Sequence, residues 1–310
     1  MRVKVLGSAA GGGFPQWNCG CSNCSRLRRG VLRGRARTQA QVVVSPDAQT
    51  WFLLNASPDL RQQIAATPEL APSEGGRNTP VAAILLTSAD ADCVLGLLHL
   101  REFQPLRIYA TESVRRALVE ENSLFRTLER SAPPIQWVNL PLHESVQISP
   151  ASGSRQLEAV SCEAIPLGGD FPDYVSAALR LKLNKQEAVV GLQIVHRGKR
   201  LCYAPSLSGR SDDWKRYVAE SDLALLDGTF WTDRELIEVH GSGKTAREMG
   251  HLPLSGANGL LEQTQSVRKP RRVLIHLNNT NPVLDEESAP HRIVRDAGWE
   301  VAYDGMEFTL

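Results

Sequence analysis

Ile84-Leu85-Leu86-Thr87-Ser88-Ala89-Asp90-Ala91-Asp92-Cys93-Val94-Leu95-Gly96-Leu97-Leu98 passes from an apolar run into acidic residues and then into an apolar, helix-spaced stretch. The run reads as a buried strand, because a continuous aliphatic stretch has no face to show to water. Asp90, Asp92 and Cys93 stand at its carboxyl end. A carboxylate between two apolar elements is costly unless it caps the helix or binds a metal ion, and the segment alone leaves both open. Downstream, Leu223-Ala224-Leu225-Leu226-Asp227 repeats the pattern with an acid, and Val273-Leu274-Ile275-His276 repeats it with an imidazole. Three strand ends bearing such groups can converge on one ion, which a single capping aspartate does not require. The alternative for His276 is a core histidine bonded to the Asn278-Asn279-Thr280-Asn281 turn.

Outward from these segments, period-2 apolar runs recur from Val3–Leu6 and Gln41–Val44 through Ala177–Leu183 and Ala188–Val195 to Glu307–Leu310. They predict about a dozen strands. Helical spacing marks Pro58–Ala66, Asp92–Arg101, Glu112–Glu120, Asp212–Glu220, Asn258–Gln265 and Pro290–Ala297. Many strands with irregularly interspersed helices argue for an α+β protein, an αββα sandwich of two packed sheets with helices on both outer faces. The loops at Glu69–Pro80 and Pro150–Arg155 lack the composition shift of a linker, so residues 1–310 read as one domain.

Balanced charge, 35 Lys+Arg against 34 Asp+Glu, provides no global field for nucleic acid or an anionic membrane. The apolar stretch Val81–Leu100 carries Asp90 and Asp92 and is not a membrane span, and the first twenty residues lack a secretory apolar core; both point to a cytoplasmic protein. Of six cysteines, Cys19, Cys21 and Cys24 fall together on a Gly/Pro-rich loop, while Cys93, Cys162 and Cys202 are scattered. In a reducing compartment the C-x-C-x-x-C trio suits a metal clip better than disulfides.

Two glycine-rich loops fail as phosphate cradles. A P-loop ending at Gly243-Lys244-Thr245 would need glycine where Glu238 stands, and the loop at residues 7–13 would need glycine where Gln16 stands. Six tryptophans, Trp17, Trp51, Trp137, Trp214, Trp231 and Trp299, read as core or rim packing. His251, in Arg247-Glu248-Met249-Gly250-His251, lies on a loop where a proton donor or substrate contact fits; taken alone, it reads equally as a surface residue.

Several strings now accumulate in order along the chain: GSAAGGGFPQWNCGCSNC at 7–24, RTQ at 37–39, NASPDLRQQ at 55–63, GLLHLRE at 96–102, DGT at 227–229, REMGH at 247–251, HLNNTNPVLDE at 276–286 and DGMEFTL at 304–310. Together they resemble the pyrroloquinoline-quinone (PQQ) biosynthesis protein B family, a branch of the metallo-β-lactamase fold. The resemblance covers essentially the whole chain. Against that fold's usual ligand string, Ser88 and Asp90 replace the first two histidines, Asp92 is kept, and Cys93 replaces the last histidine.

The resemblance implies an oxygenase or hydroxylase acting on the tyrosine ring of a Glu-Tyr-derived precursor. Fe2+ or Zn2+ would be held by Asp92, Asp227 and His276, with Asp90 or Cys93 completing the set and His251 moving a proton or contacting the phenol. A dipeptide-like precursor with several carboxylates calls for guanidinium groups, and Arg37, Arg61 and Arg101 lie in the matching strings; surface ion pairing accounts for them equally. Asn55 and Asp59 would shape the same pocket or cap the next helix. Structural Zn2+ on Cys19, Cys21 and Cys24 follows by analogy with related phosphodiesterases, with Asn279 standing where a fourth, histidine ligand is usual. The resemblance also admits a non-catalytic carrier of the quinone or its precursor, a zinc hydrolase, other proteins of the pathway as partners, and a homodimer.

Overall fold

The computed structural model describes residues 1–101, 105–130, 135–151, 158–241 and 243–310. Most of the Pro150–Arg155 loop and Ser242 of the second glycine-rich loop lie outside them. Two seven-stranded mixed sheets make up its centre. The first follows the order β14-β1-β2-β3-β4-β5-β6, with β1 Arg2–Gly7, β2 Gln41–Ser45, β3 Trp51–Leu54, β4 Val81–Leu85, β5 Arg107–Ala110, β6 Gln136–Asn139 and β14 Glu307–Thr309. The second runs β13-β12-β11-β10-β9-β8-β7, with β7 Ser145–Ile148, β8 Val160–Pro166, β9 Val190–His196, β10 Lys199–Ala204, β11 Leu223–Asp227, β12 Arg271–Ile275 and β13 Trp299–Val301. In each sheet one half is antiparallel and the other parallel: β3 to β6 in the first, β10 to β13 in the second.

Alternation along the strands explains the layering. In β4 and β11, Leu85, Leu223 and Leu225 point into the cluster between the sheets, while Ile84, Ala224 and Leu226 join a second cluster with helix residues on the outer faces. The helices are α1 Ser22–Arg28, α2 Leu60–Ala65, α3 Ala91–Val94, α4 Glu112–Val119, α5 Ala177–Arg180, α6 Asp213–Glu220, α7 Glu235–His240, α8 Leu260–Gln263 and α9 Ala289–Asp296. Central strands are covered on both sides, which is why they read as unbroken apolar runs. The αββα architecture expected from the sequence is the one observed.

One expected strand is a helix. Ser176 caps α5 by accepting a hydrogen bond from the Leu179 backbone N–H (3.1 Å). Leu179 and Leu183, four residues apart, are buried, whereas Leu181 between them is 90% exposed, so the leucines follow helical spacing and not strand alternation. Trp17, expected to pack, is 83% exposed.

Loops from both sheets meet at the carboxyl ends of the parallel strands, where open α/β sheets generally bind ligands. Ala9 bridges to both Gln39 and Leu277, and Ser88 bridges to Val189, tying the two sheets together beside this edge. Gly96 sits so tightly under it that a Cβ would meet the Ser57 carbonyl at 2.2 Å. No helix among the described residues is long and apolar enough to cross a membrane.

Candidate metal centre

β11 delivers Asp227 to this edge fully buried. Its Oδ2 accepts from the Leu207 backbone N–H (2.8 Å) and from His251 Nδ1 (2.7 Å), and its Oδ1 accepts from the Thr229 backbone N–H (2.9 Å) and hydroxyl (2.6 Å). β12 delivers His276, whose backbone is left-handed at φ +60°. Its Nδ1 lies 2.8 Å from Thr229 Oγ1 and its Nε2 3.0 Å from Asp92 Oδ2. The His251 and His276 rings stack at 5.4 Å between centroids. One donor atom each from Asp227, His251 and His276 lies within 4.8 Å of the others.

Burial alone would raise the Asp227 carboxyl, but the charge of His251 and its hydrogen bond outweigh it and hold Asp227 below the usual carboxylate range. Asp92 is likewise held low, because its hydrogen bond to His276 outweighs burial. His276 moves the other way: burial disfavours its charge, yet Asp92 and then Asp227 raise it above the ordinary imidazole value. Anionic carboxylates and nitrogen donors aimed at one point are what a divalent ion requires.

Asp90 does not cap α3: no side-chain capping bond is made, and its Oδ2 accepts from Ser88 Oγ at 2.8 Å. Burial, then the neighbouring Asp92, push it up to about 6. Cys93 is buried, 3.9 Å from Thr87 Oγ1, and burial followed by the charges of Asp92 and Asp90 raises its thiol well above the ordinary range. A protonated thiol is a poor ligand. Gly11 packs against Asp92, its added Cβ falling 3.5 Å from Oδ2, so the first glycine-rich loop brings backbone close to the acid.

A cleft of about 730 Å³ opens over these groups. Asp90, Asp92, Cys93, His251, His276 and Asn55 line it, with Tyr174, Tyr203 and Lys244. None of the three expected arginines does. Arg37 is buried elsewhere, donating to Ser8 Oγ (3.0 Å) and the Ala302 carbonyl, Arg61 is exposed on α2, and Arg101 donates to the Leu98 carbonyl (2.6 Å). Among the described residues that line the cleft, Lys244 brings an ammonium group. Asp59 makes no helix cap and accepts from the Gln39 backbone N–H (2.9 Å). Thr229 and Tyr203 escaped the sequence reading; Thr229 had a signal in Asp227-Gly228-Thr229, whereas Tyr203 in an apolar strand had none.

A second cluster lies beside the first. Cys19, Cys21 and Cys24 present their sulfurs within 4.8 Å of one another. The Asn279 carboxamide faces all three, with Nδ2 3.1, 3.6 and 3.4 Å from Cys19, Cys21 and Cys24 Sγ. Asn23 holds this turn by donating to the Asn279 and Asn281 carbonyls. Burial pushes Cys21 up to about 11, while Cys19, against the effect of burial, is lowered by hydrogen bonds from its neighbours.

Residues 50–277 match the model of the beta-lactamase superfamily domain. Over its full length the chain is 42% identical to coenzyme PQQ synthesis protein B of Methylobacterium sp. (strain 4-46) and 43% identical to that of Azoarcus sp. (strain BH72), each covered completely. The chain belongs to the coenzyme PQQ synthesis protein B family. The Zn(2+)-bound PqqB from Methylobacterium extorquens superposes with a TM-score of 0.89 at 40% identity, with both chains fully covered. A diphosphatase from the PhnP family, 19% identical with a TM-score of 0.65 over 100% of this chain and 97% of its own, shares the fold.

Proposed function

We propose that this chain serves coenzyme PQQ biosynthesis as a metal-dependent oxygenase acting on the tyrosine ring of a Glu-Tyr-derived precursor. The observation that carries the reading is the convergence of two imidazoles, His251 and His276, with the Asp92 carboxylate at the floor of one cleft and the buried Asp227 carboxylate behind them. Two histidines and a carboxylate with open positions form the donor set of non-haem iron oxygenases; a bound ferrous ion would supply dioxygen activation there. His251 enters this set as a ligand, where the sequence had given it a proton-transfer role. Cys93 stands where the fold's usual string has histidine, and a metal ion would have to displace its proton to use it.

The chain's own groups do the remaining work. Nδ1 of each imidazole is engaged, His251 with Asp227 and His276 with Thr229, while Nε2 of His276 faces Asp92 Oδ2 at 3.0 Å, the gap that a shared metal ion would have to enter. Asp90, poised near 6, is a carboxyl that can take or give a proton beside the ring. Cys19, Cys21 and Cys24 hold a structural zinc ion, with the Asn279 carboxamide on the open side of the trio. A carrier of the quinone remains as a second reading, favoured by the thiol at position 93, which removes one ligand from the site.

Elemental analysis of anaerobically purified protein, before and after ferrous iron is offered, tests the reading. One zinc per chain plus iron that is absent from His276→Ala supports it. Zinc alone, unaltered in His276→Ala but lost from Cys24→Ser, places the metal on the cysteines and leaves the carrier.

A further inference from the structure

Leu95, Tyr174 and Met249 are large apolar side chains left 38%, 45% and 44% exposed, and all three line the cleft. Three separate segments bring them there: Leu95 directly follows α3, Tyr174 lies between β8 and α5, and Met249 lies between α7 and α8. A single exposed leucine needs no explanation, whereas apolar groups gathered from distant parts of the chain into one hollow mark a binding surface. Each is tied to the metal centre. Leu95 is two residues beyond Cys93, Met249 is two before His251, and the Tyr174 hydroxyl donates to the carbonyl of Ala89, the neighbour of Asp90. Pro58, Phe171 and Pro172 extend the same apolar lining.

The outer carboxylates of the cleft are engaged within the protein. Asp170 pairs with Lys185 (2.5 Å) and Arg210 (3.2 Å), Asp173 pairs with Arg180 (3.4 Å), and Glu248 accepts from the Thr245 backbone N–H (2.8 Å). What the mouth offers an incoming molecule is therefore apolar surface, with the metal-centre residues below it. We infer that Leu95, Tyr174 and Met249 form an apolar collar that receives an uncharged aromatic ring while a polar group attached to that ring reaches the metal centre. Tyr174 supplies an aromatic ring and Met249 a polarizable thioether, two partners that favour a planar ring over an alkyl group of like size. The metal-bound end of this assignment rests on the functional reading above; the collar does not.

Hydroxamates supply one metal-binding head with interchangeable tails, so the zinc-loaded protein is titrated by calorimetry with acetohydroxamate, benzohydroxamate and cyclohexanecarbohydroxamate. Benzohydroxamate should bind about tenfold more tightly than acetohydroxamate, the gain expected from burying a ring, and more tightly than the cyclohexyl compound. In Tyr174→Ala and in Met249→Ser that preference should drop to about threefold or less, with acetohydroxamate bound as in wild type, while Tyr174→Phe, which keeps the ring, should retain it. A phenyl preference undiminished in both variants overturns the inference and leaves the functional reading intact. Cyclohexyl binding as tight as phenyl binding does the same, by making the collar a general apolar surface. Hydroxamate binding that persists in His276→Ala lies on the cysteine cluster and also overturns the inference. Wild type that binds no hydroxamate overturns the functional reading and the inference together.

Discussion

Thr229 shows how much one hydroxyl can decide. It has one proton and two acceptor sites, and it lies 2.6 Å from Asp227 Oδ1, 2.8 Å from His276 Nδ1 and 3.1 Å from His251 Nδ1. Donating to Asp227 or to the His276 carbonyl (2.9 Å), it accepts from His276 Nδ1–H, which turns Nε2 toward Asp92 and a metal ion shared with it. Thr229→Val should therefore weaken iron or zinc at this site by about 10- to 100-fold with the fold intact, as read by chelator competition; unchanged affinity would show that the tautomer is set elsewhere. Glu235 is a second residue that the sequence left silent. It is buried on α7, accepts from the Trp231 backbone N–H (2.6 Å) and pairs with Thr280 in the turn between His276 and α9. Burial raises its carboxyl to about 7, so the folded chain holds this proton after the unfolded chain has released it. Stability should then fall as pH rises from about 4.5 to about 7, by on the order of 3 kcal/mol, and level off above. Denaturant titrations should find that loss flattened in Glu235→Gln, which keeps the neutral form; an unaltered slope would assign the pH dependence to other groups.

At the scale of elements, the central strands were legible because each is buried on both faces and its residues are correspondingly apolar. Leu223–Asp227 and Arg107–Ala110 fall where the pattern puts them. Two of the edge strands were not: β6 and β7, Gln-Trp-Val-Asn and Ser-Val-Gln-Ile, are half-exposed and carry no continuous apolar signature, whereas β14 at the opposite edge falls on the expected run Glu307–Leu310. Alternation misled at α5, where Leu-Arg-Leu-Lys-Leu mimics a strand although only Leu179 and Leu183 face the core. The two arrangements make opposite demands on Leu181. Leu181→Glu should change stability by less than about 0.5 kcal/mol, while Leu179→Ala should cost about 2–5 kcal/mol. Equal losses in denaturant melts would restore the strand. The strand ends bearing Asp92, Asp227 and His276 were readable because polar groups there interrupt apolar runs; the arginines misled because a charged residue in a matching string gives no hint of which way it points.

Across the whole molecule, the first and last strands pair: Arg2 is opposite Thr309 and Lys4 opposite Glu307, while the Met1 amino group donates to the Leu310 carbonyl at 2.9 Å. Phe308 from this seam reaches the cluster between the sheets and lies under Arg271, 4.6 Å from its ring centre. Phe308→Ala should cost about 3–5 kcal/mol in denaturant melts, a loss expected of a core residue and far above that of a frayed end. A loss near zero would mean that the last strand contributes little to the sandwich. Because residues 1 and 310 meet in this way, the chain is topologically close to a ring. A short linker could close it and the backbone could be opened at the exposed loop around Gly75 and Gly76, which does not line the cleft. Such a circular permutant would retain both sheets and carry its new ends where a fused fluorescent reporter would leave the cleft clear.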